Sequence, residues 1–359
     1  MKKRLLALTL ALLLLLAFTA ACSGDNGAQN PPNTNAGTNQ NGGSGSSSNS
    51  GSNSANEKFV LISGASANEE ADYYNLPFKE IIEETSGGRI TVEVYNNATL
   101  GTEYEMVEGV QSGDYQMTFS ATAVQANFVP AASVLDIPFL FDSMEDLKEA
   151  AFGDFYQALA KEYEAKGFHL FGFGTQGFRQ TTSNKPIHTL SDLQGLKIRT
   201  METPYHVATW TALGCNPTPI AFSELYLALQ QGTVVAQENP YENIVIAKLY
   251  EQQDYVIETN HIALLIGWVM NKDVYDSMSP ELQGLVDDAA RQVLEKNWEE
   301  AGVRNETSLQ TIIDSGTEFI TLDSSVLDEF RAATTGTADM VRENVGGELV
   351  DELLATLGK

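Results

Sequence analysis

The sequence predicts an α/β protein of two lobes with a ligand site between them. From residue 58 onwards short strands alternate with helices, a pattern that favours largely parallel sheets. The stretch from 58 to 359 is longer than one hydrophobic core usually serves, which indicates two lobes. Ligands of such folds usually lie at the carboxyl ends of strands, between lobes.

Strands are predicted where apolar residues alternate with polar ones or run together. Ile90, Val92 and Val94 alternate with polar neighbours, the period-two pattern of a half-buried strand. The other predicted strands cover 59–63, 116–120, 168–173, 196–200 and 260–271.

Capping signals place the predicted helices. Thr102 and Glu105 form a capping box, and Gly113 ends the helix that they begin. Further helices are predicted over 72–84, 143–163, 223–231 and from Pro280 to about 315. Pro77 lies inside the first of these and is unfavourable in a helix interior.

The N-terminal residues 1–21 have the composition of a signal peptide. Lys2, Lys3 and Arg4 precede an apolar run over 5–18, which is too short to span a bilayer. The run ends at Thr19-Ala20-Ala21-Cys22, which resembles a bacterial lipobox, in which the cysteine is lipidated after cleavage. The alternative is an ordinary secretory signal cut near residue 21, with Cys22 incidental.

Residues 22–57 are predicted to form a flexible tether. They are mostly Ser, Asn, Gly, Gln, Thr and Ala, and such a composition cannot bury enough apolar surface to become ordered. A coil of this length reaches roughly 30 Å. With a lipid on Cys22, the tether would hold the protein to the outer face of a membrane.

Charge and residue counts exclude several function classes. A net charge of −27 argues against nucleic acid and anionic lipid as partners. With Cys22 lipidated, Cys215 is a lone thiol, and the four histidines show no metal-ligand spacing. Since no nucleophile–base set is visible either, the sequence predicts a protein that is not an enzyme and needs neither metal nor cofactor.

The most informative block lies between residues 172 and 261. In order it contains GFRQTTSNKPI (177–187), LSDLQGLKIR (190–199), ALGCNPTP (212–219), FSELYLALQ (222–230) and QENP (237–240). This block resembles the extracytoplasmic solute receptors of TRAP transporters, the DctP-type binding proteins of solute-binding protein family 7. A looser resemblance extends from about residue 58 to the C-terminus.

The resemblance implies a two-lobed, periplasmic-binding-protein-like fold with a ligand cleft, crossing strands and a long connecting helix. Lobe I would comprise 58–178 plus about 265–304, and lobe II 179–264 plus about 305–359. The implied function is capture of a small organic anion, such as a C4-dicarboxylate, sugar acid or keto acid. The receptor would deliver it to a membrane permease of one small and one large subunit, driven by an ion gradient.

Arg199 is the principal candidate for binding the anion. It lies at the end of a predicted strand, and a guanidinium holds a carboxylate with two parallel hydrogen bonds. A surface salt bridge is the alternative, but Arg199 matches the family's carboxylate-binding arginine. Arg179 matches a second pocket arginine, or it ties a loop in place. Asn239 matches a ligand-binding amide, although an Asn before a Pro is also a turn signal.

Four further residues are candidate ligand contacts with structural alternatives. Phe222 is a pocket wall or a core residue, and Glu103 is a polar contact or a partner of the helix dipole. Glu202 accepts a ligand hydroxyl or balances Arg199, and Ser66 belongs to a strand end that offers backbone groups. The family pattern is broken at Met201, Tyr104, Ala121 and Cys215, and Ala121 counts against sialic acid as the ligand.

Other functions are compatible with part of this pattern. A binding lipoprotein of an ATP-driven importer or of a membrane sensor kinase would share the signal, the tether and the two lobes. An extracellular hydrolase would use Glu202 or Glu238 as its acid or base.

Overall fold

Two sheets form the framework of residues 57–359, the part of the chain that the computed structural model describes. The predicted signal peptide, Cys22 and nearly all of the tether lie outside these residues. The strands are β1 (Phe59–Gly64), β2 (Ile90–Tyr95), β3 (Met117–Ala121), β4 (Phe168–Phe178), β5 (Gln180–Ser183), β6 (Lys197–Thr200), β7 (Asn216–Pro219), β8 (Ala236–Asn239), β9 (Tyr255–Glu258), β10 (Ala263–Asn271) and β11 (Glu318–Thr321).

Helices connect and cover the strands. They are α1 (Asn68–Tyr73), α2 (Asn75–Thr85), α3 (Glu103–Ser112), α4 (Thr122–Gln125), α5 (Met144–Phe152), α6 (Asp154–Ala165), α7 (Pro204–Ala212), α8 (Phe222–Gln230), α9 (Tyr241–Ile246), α10 (Lys272–Ser277), α11 (Pro280–Asp314), α12 (Ser324–Val345) and α13 (Gly347–Thr356). Short 3-10 helices occupy Pro130–Asp136, Leu190–Leu193 and Leu249–Gln252. Among these described residues, no helix is long and apolar enough to cross a membrane.

Both sheets are mixed rather than largely parallel. The first has the order β2-β1-β3-β10-β4 and the second β11-β9-β5-β8-β6-β7. In the described chain, β1 pairs in parallel with β2 and β3, β6 with β7 and β8, and β11 with β9. The antiparallel pairs all involve β5 or β10. Those two strands begin just after the chain has passed from one sheet to the other.

The crossing from β4 to β5 occurs within one residue, Arg179. Two residues earlier Gly177 has a φ of +81°, and a Cβ there would lie 2.5 Å from Nδ2 of Asn305. That amide also donates a hydrogen bond to the carbonyl oxygen of Gln176 at 2.9 Å. Both the backbone conformation and the close approach therefore require glycine at this point. The chain returns to the first sheet between β9 and β10, so the two crossing strands are confirmed.

Each sheet has a hydrophobic core on both of its faces. Along β10, Leu265 belongs to one core and Ile266 to another, because successive side chains point to opposite faces of a strand. Along β9, Val256 and Ile257 divide between two further cores in the same way. This double burial explains why β10 is apolar along almost its whole length.

The long helix α11 contacts both halves of the molecule. It begins at Pro280 and ends at Asp314, as its sequence signals predict, and is about 52 Å long. Leu282 and Val286 pack in a core of the first sheet, whereas Ile312 packs in a core of the second. The long connecting helix is thus confirmed.

Three segments differ from their predicted form. The helix predicted over 143–163 is two helices, because Gly153 between them has an extended backbone conformation, with ψ of −170°. Helix α2 begins at Asn75 rather than at residue 72, which places Pro77 in its first turn, where proline is tolerated. Helix α13, predicted with lobe II, packs its Val350 and Leu353 into a core of the first sheet. The lobe limits stay a prediction.

Candidate functional site

A small polar cavity lies where the two sheets face each other. The first half of the structure contributes one wall, formed by Glu70, Glu103, Ala121, Leu264 and Ile266. The second half contributes the opposite wall, formed by Arg179, Arg199, Met201, Phe222, Asn239 and Asn243. Its volume is about 10 Å³, room for roughly one water molecule. It is thus nearly closed in this structure.

Arg199 reaches the cavity from strand β6. Its neighbour Ile198 packs in a core of the second sheet, so Arg199 points from the opposite face. The side chain is only 2% exposed, and its Nε donates to the carbonyl oxygen of Ile220 at 2.7 Å. Its Nη1 is buried without a hydrogen-bond partner among the described residues, and no carboxylate there forms a salt bridge with it. Burial lowers the pKa of Arg199 to about 10. The group therefore stays charged at neutral pH while lacking a counter-ion in contact.

Arg179 lines the same cavity but is already paired. Its Nη2 donates to Oε1 of Glu238 at 2.9 Å and to Oδ1 of Asn239 at 3.1 Å, and its Nε donates to Oε2 of Glu238. Its Nη1 has no hydrogen-bond partner in the described chain. Strand β4 extends to Phe178, so Arg179 lies at the crossing of two strands rather than in the predicted loop. Arg179 therefore links the start of β5 to β8, and its Nη1 stays available for a further hydrogen bond.

A buried charge network holds Glu238 and, through it, Arg179. His261 places Nε2 3.0 Å from Oε2 of Glu238, and His206 lies 3.6 Å from Oε1 of Glu238 and 3.5 Å from Asp136. Although burial favours the neutral acid, the Arg179 guanidinium holds the pKa of Glu238 well below its usual range. Burial lowers the pKa of His261, whose ring lies edge-on to Trp210 at 5.1 Å. Glu238, one of the two candidate hydrolase acids, therefore acts here as a fixed counter-ion.

Asn239 lines the cavity at the end of strand β8. Its Oδ1 accepts from Arg179, and its Nδ2 donates to Oε1 of Gln237 at 2.6 Å. The register of β5 on β8 pairs Gln180 with Asn239 and thus brings the amide beside Arg179. Both polar ends of the amide are engaged within the protein in this structure.

Of the other predicted contacts, two line the cavity and two do not. Phe222 and Glu103 are half-buried lining residues, at the starts of α8 and α3. Ser66 and Glu202 are not among the lining residues of this cavity. The Oγ of Ser66 is buried without a partner in the described chain.

Two polar lining residues were missed from the sequence, Glu70 and Asn243. Glu70 is 5% exposed and accepts a hydrogen bond from the backbone N–H of Ala67 at 3.2 Å. Burial and the neighbouring charge of Glu103 raise the pKa of Glu70 to about 8. Burial also raises the pKa of Glu103, against the opposing influence of the Ala121 backbone and Arg199. The wall opposite the arginines is thus acidic.

The geometry suits non-covalent capture of an anion. Four groups converge on the cavity: a buried guanidinium that forms no ion pair with a described residue, a second with one nitrogen unbonded within residues 57–359, an amide and an aromatic ring. Within residues 57–359, no group of three or more His, Cys, Asp or Glu could hold a metal ion. This arrangement can bind a carboxylate in a low-dielectric site from which water is excluded.

The sequence is similar to those of known solute-binding proteins. The sequence matches the profile of bacterial extracellular solute-binding protein, family 7, over residues 64–344. It is 40% identical to a solute-binding protein of Verminephrobacter eiseniae over 60% of this chain, and the match spans 64% of that protein. It is 32% identical to solute-binding protein RD1_1052 of Roseobacter denitrificans, over 82% of this chain and 89% of the relative.

Solved structures of the same type superpose on the chain. That of RD1_1052 with bound L-galactonate has a TM-score of 0.76 and 30% identity, covering 84% of this chain and 99% of the other. A TRAP periplasmic solute-binding protein of Desulfovibrio salexigens with bound orotic acid has a TM-score of 0.80 and 26% identity, with the same coverage. The two-lobed α/β fold is thereby confirmed.

Proposed function

Because this chain belongs to family 7 of the bacterial extracellular solute-binding proteins, the DctP-type receptors of TRAP transporters, we propose that it captures a small organic carboxylate outside the cytoplasm. The observation that carries the proposal is the guanidinium of Arg199, which lines the inter-sheet cavity without a salt bridge to any described residue. A buried cation of this kind is costly unless a ligand supplies the opposite charge. The bound carboxylate is that charge.

Arg179 and Asn239 complete the anion site in this proposal. Arg179 offers its free Nη1 to the same carboxylate while Glu238 fixes the rest of its guanidinium. Asn239 exchanges one of its internal hydrogen bonds for one to the ligand, and Phe222 covers an apolar face of the ligand. Preorganised donors of this type bind without a large ordering cost.

Binding requires the two sheets to move apart and close again. A cavity of about 10 Å³ is far smaller than an organic acid, so the ligand enters a more open form. Closure then removes water from the site and strengthens each charged hydrogen bond. The crossing at Arg179, two residues after Gly177, and the second crossing between β9 and β10 are where the backbone would bend.

Relatives support the carboxylate class. The Roseobacter relative was solved with L-galactonate and the Desulfovibrio protein with orotic acid, and both ligands carry a carboxylate. The family is a class of transport receptors rather than of enzymes. We therefore propose delivery of the closed complex to an ion-gradient-driven permease, with the receptor held at the outer membrane face by a lipid on Cys22.

The proposal is tested by calorimetry with a library of organic acids. A hit should bind the wild type and lose about 30-fold to several thousand-fold in affinity in Arg199→Met, as removal of one partner of a buried charge pair costs about 2–5 kcal/mol. Arg199→Lys should recover little, because an ammonium cannot form the two-pronged contact. Arg291→Met is the matched control, since Arg291 is exposed and bonds only within its own helix. Near wild-type affinity in Arg199→Met would contradict the proposal.

A further inference from the structure

The cavity has an acidic wall opposite its arginines, formed by Glu70 and Glu103. Glu70 comes from α1, is almost fully buried, and has one oxygen held by the backbone N–H of Ala67. Glu103 is the first residue of α3, and its carboxyl is close enough to Glu70 to influence its ionisation. Two carboxyl groups from different helices thus face the same small space.

Of the two arginines that line the cavity, only Arg199 is left to balance an anionic group. The charge of Arg179 is offset by its own partner, Glu238, whereas Arg199 has no salt bridge in the described chain. One ligand carboxylate satisfies Arg199. A second carboxylate at the far end of the ligand would meet two acidic side chains, and each of them that is ionised would repel it strongly at low dielectric.

Carboxyl groups are good hydrogen-bond partners for the hydroxyl groups of a ligand. A ligand hydroxyl can donate to an ionised carboxylate, or accept from a protonated carboxyl, so it satisfies either state. A site built to hydrogen-bond a hydroxyl rejects an analogue that lacks it, because the buried polar group is then left unpaired. The acidic wall therefore favours a ligand with hydroxyls at the end away from its carboxylate.

We propose that Glu70 and Glu103 select hydroxylated monocarboxylates over dicarboxylates by forming hydrogen bonds with ligand hydroxyls opposite the arginines. The inference rests on the proposed function, because it assumes that Arg199 holds the ligand carboxylate. Glu70 is a specificity residue that no sequence motif indicated.

The test compares D-gluconate, succinate and hexanoate as probes in calorimetry. For the wild type we expect gluconate to bind at least tenfold more tightly than either of the other two. In Glu70→Gln and Glu103→Gln we expect the ratio of gluconate to succinate affinity to fall by at least tenfold. Glutamine keeps the acceptor that caps α1, so folding should persist. Glu69→Gln and Glu108→Gln, exposed neighbours on the same helices, should leave the ratio unchanged.

The outcomes separate the two proposals. If succinate or hexanoate binds as tightly as gluconate, or the ratio stays within twofold in both glutamine variants, the acidic wall does not select the ligand. The proposed function survives that result when Arg199→Met still abolishes binding of the preferred acid. If no carboxylate binds, or if Arg199→Met binds normally, the proposed function fails and this inference fails with it.

Discussion

Replacing Arg199 with methionine should stabilise the ligand-free protein while weakening binding. The guanidinium is buried and contacts no counter-ion in the part of the chain that the structure describes, and burial lowers its pKa to about 10. At about 1.4 kcal/mol per tenfold change, that lowering means that the charged group opposes folding by about 3 kcal/mol at neutral pH. The sign follows because the folded pKa of a base lies below its unfolded value, so the cost is present at every pH below about 10.

One interaction works against this gain. The variant loses the hydrogen bond from Nε to the carbonyl oxygen of Ile220, a charge-assisted bond of about 1.5–3 kcal/mol. The difference leaves a net stabilisation of about 0–1.5 kcal/mol in the free energy of unfolding, or up to a few degrees in Tm.

The assay is urea unfolding of the refolded, ligand-free protein at pH 7.5, followed by far-UV circular dichroism. Arg291→Met serves as the control, because it removes an exposed arginine from α11 and should change the free energy little. A loss of 1 kcal/mol or more in Arg199→Met would refute the reasoning. The guanidinium would then be a structural support rather than a charge held ready for a ligand.

Three further perturbations test other parts of the molecule. Glu238→Gln should destabilise the protein by about 3–5 kcal/mol in urea unfolding, because it leaves the buried guanidinium of Arg179 without its counter-ion. The exposed control Glu224→Gln should leave the free energy of unfolding unchanged. The pKa of Glu70 is raised to about 8, so the folded state binds the extra proton and its stability declines as pH rises from about 5 to 8. Glu70→Gln should remove this decline and be about 2–4 kcal/mol more stable than the wild type at pH 8.5; equal pH profiles would contradict the burial of Glu70. Cys22→Ser should move the protein from the membrane fraction to the soluble fraction of cells, whereas Cys215→Ser should stay membrane-bound.

Local signals in the sequence predicted much of the framework. The capping box at Thr102 is formed as predicted, with Oε2 of Glu105 accepting from the Thr102 backbone N–H at 2.8 Å. Pro280 begins α11, and the alternation around Val92 is a strand with one buried face. These features depend on neighbours within a few residues, which is why they can be read without the fold.

Long-range pairing could not be read in the same way. Strand β4 is predicted to end at Phe173, yet pairing with β10 continues through Gly174 and Gly177 to Phe178. The charge on Arg179 is neutralised only because β5 and β8 align in one register. Glu70 belongs to no sequence motif, and only the approach of Glu103 from another helix makes it part of the site.

The contact between Trp210 and His261 gives the molecule an optical reporter of its own. The indole is fully buried in the second half of the structure, and the imidazole against it bonds the carboxylate that anchors Arg179. A negative solute bound beside that guanidinium, as proposed, would change the electric field at the indole, and emission from tryptophan responds to such fields. We therefore expect that occupancy of the proposed site can be followed in real time by intrinsic fluorescence, without attaching a dye to a thiol.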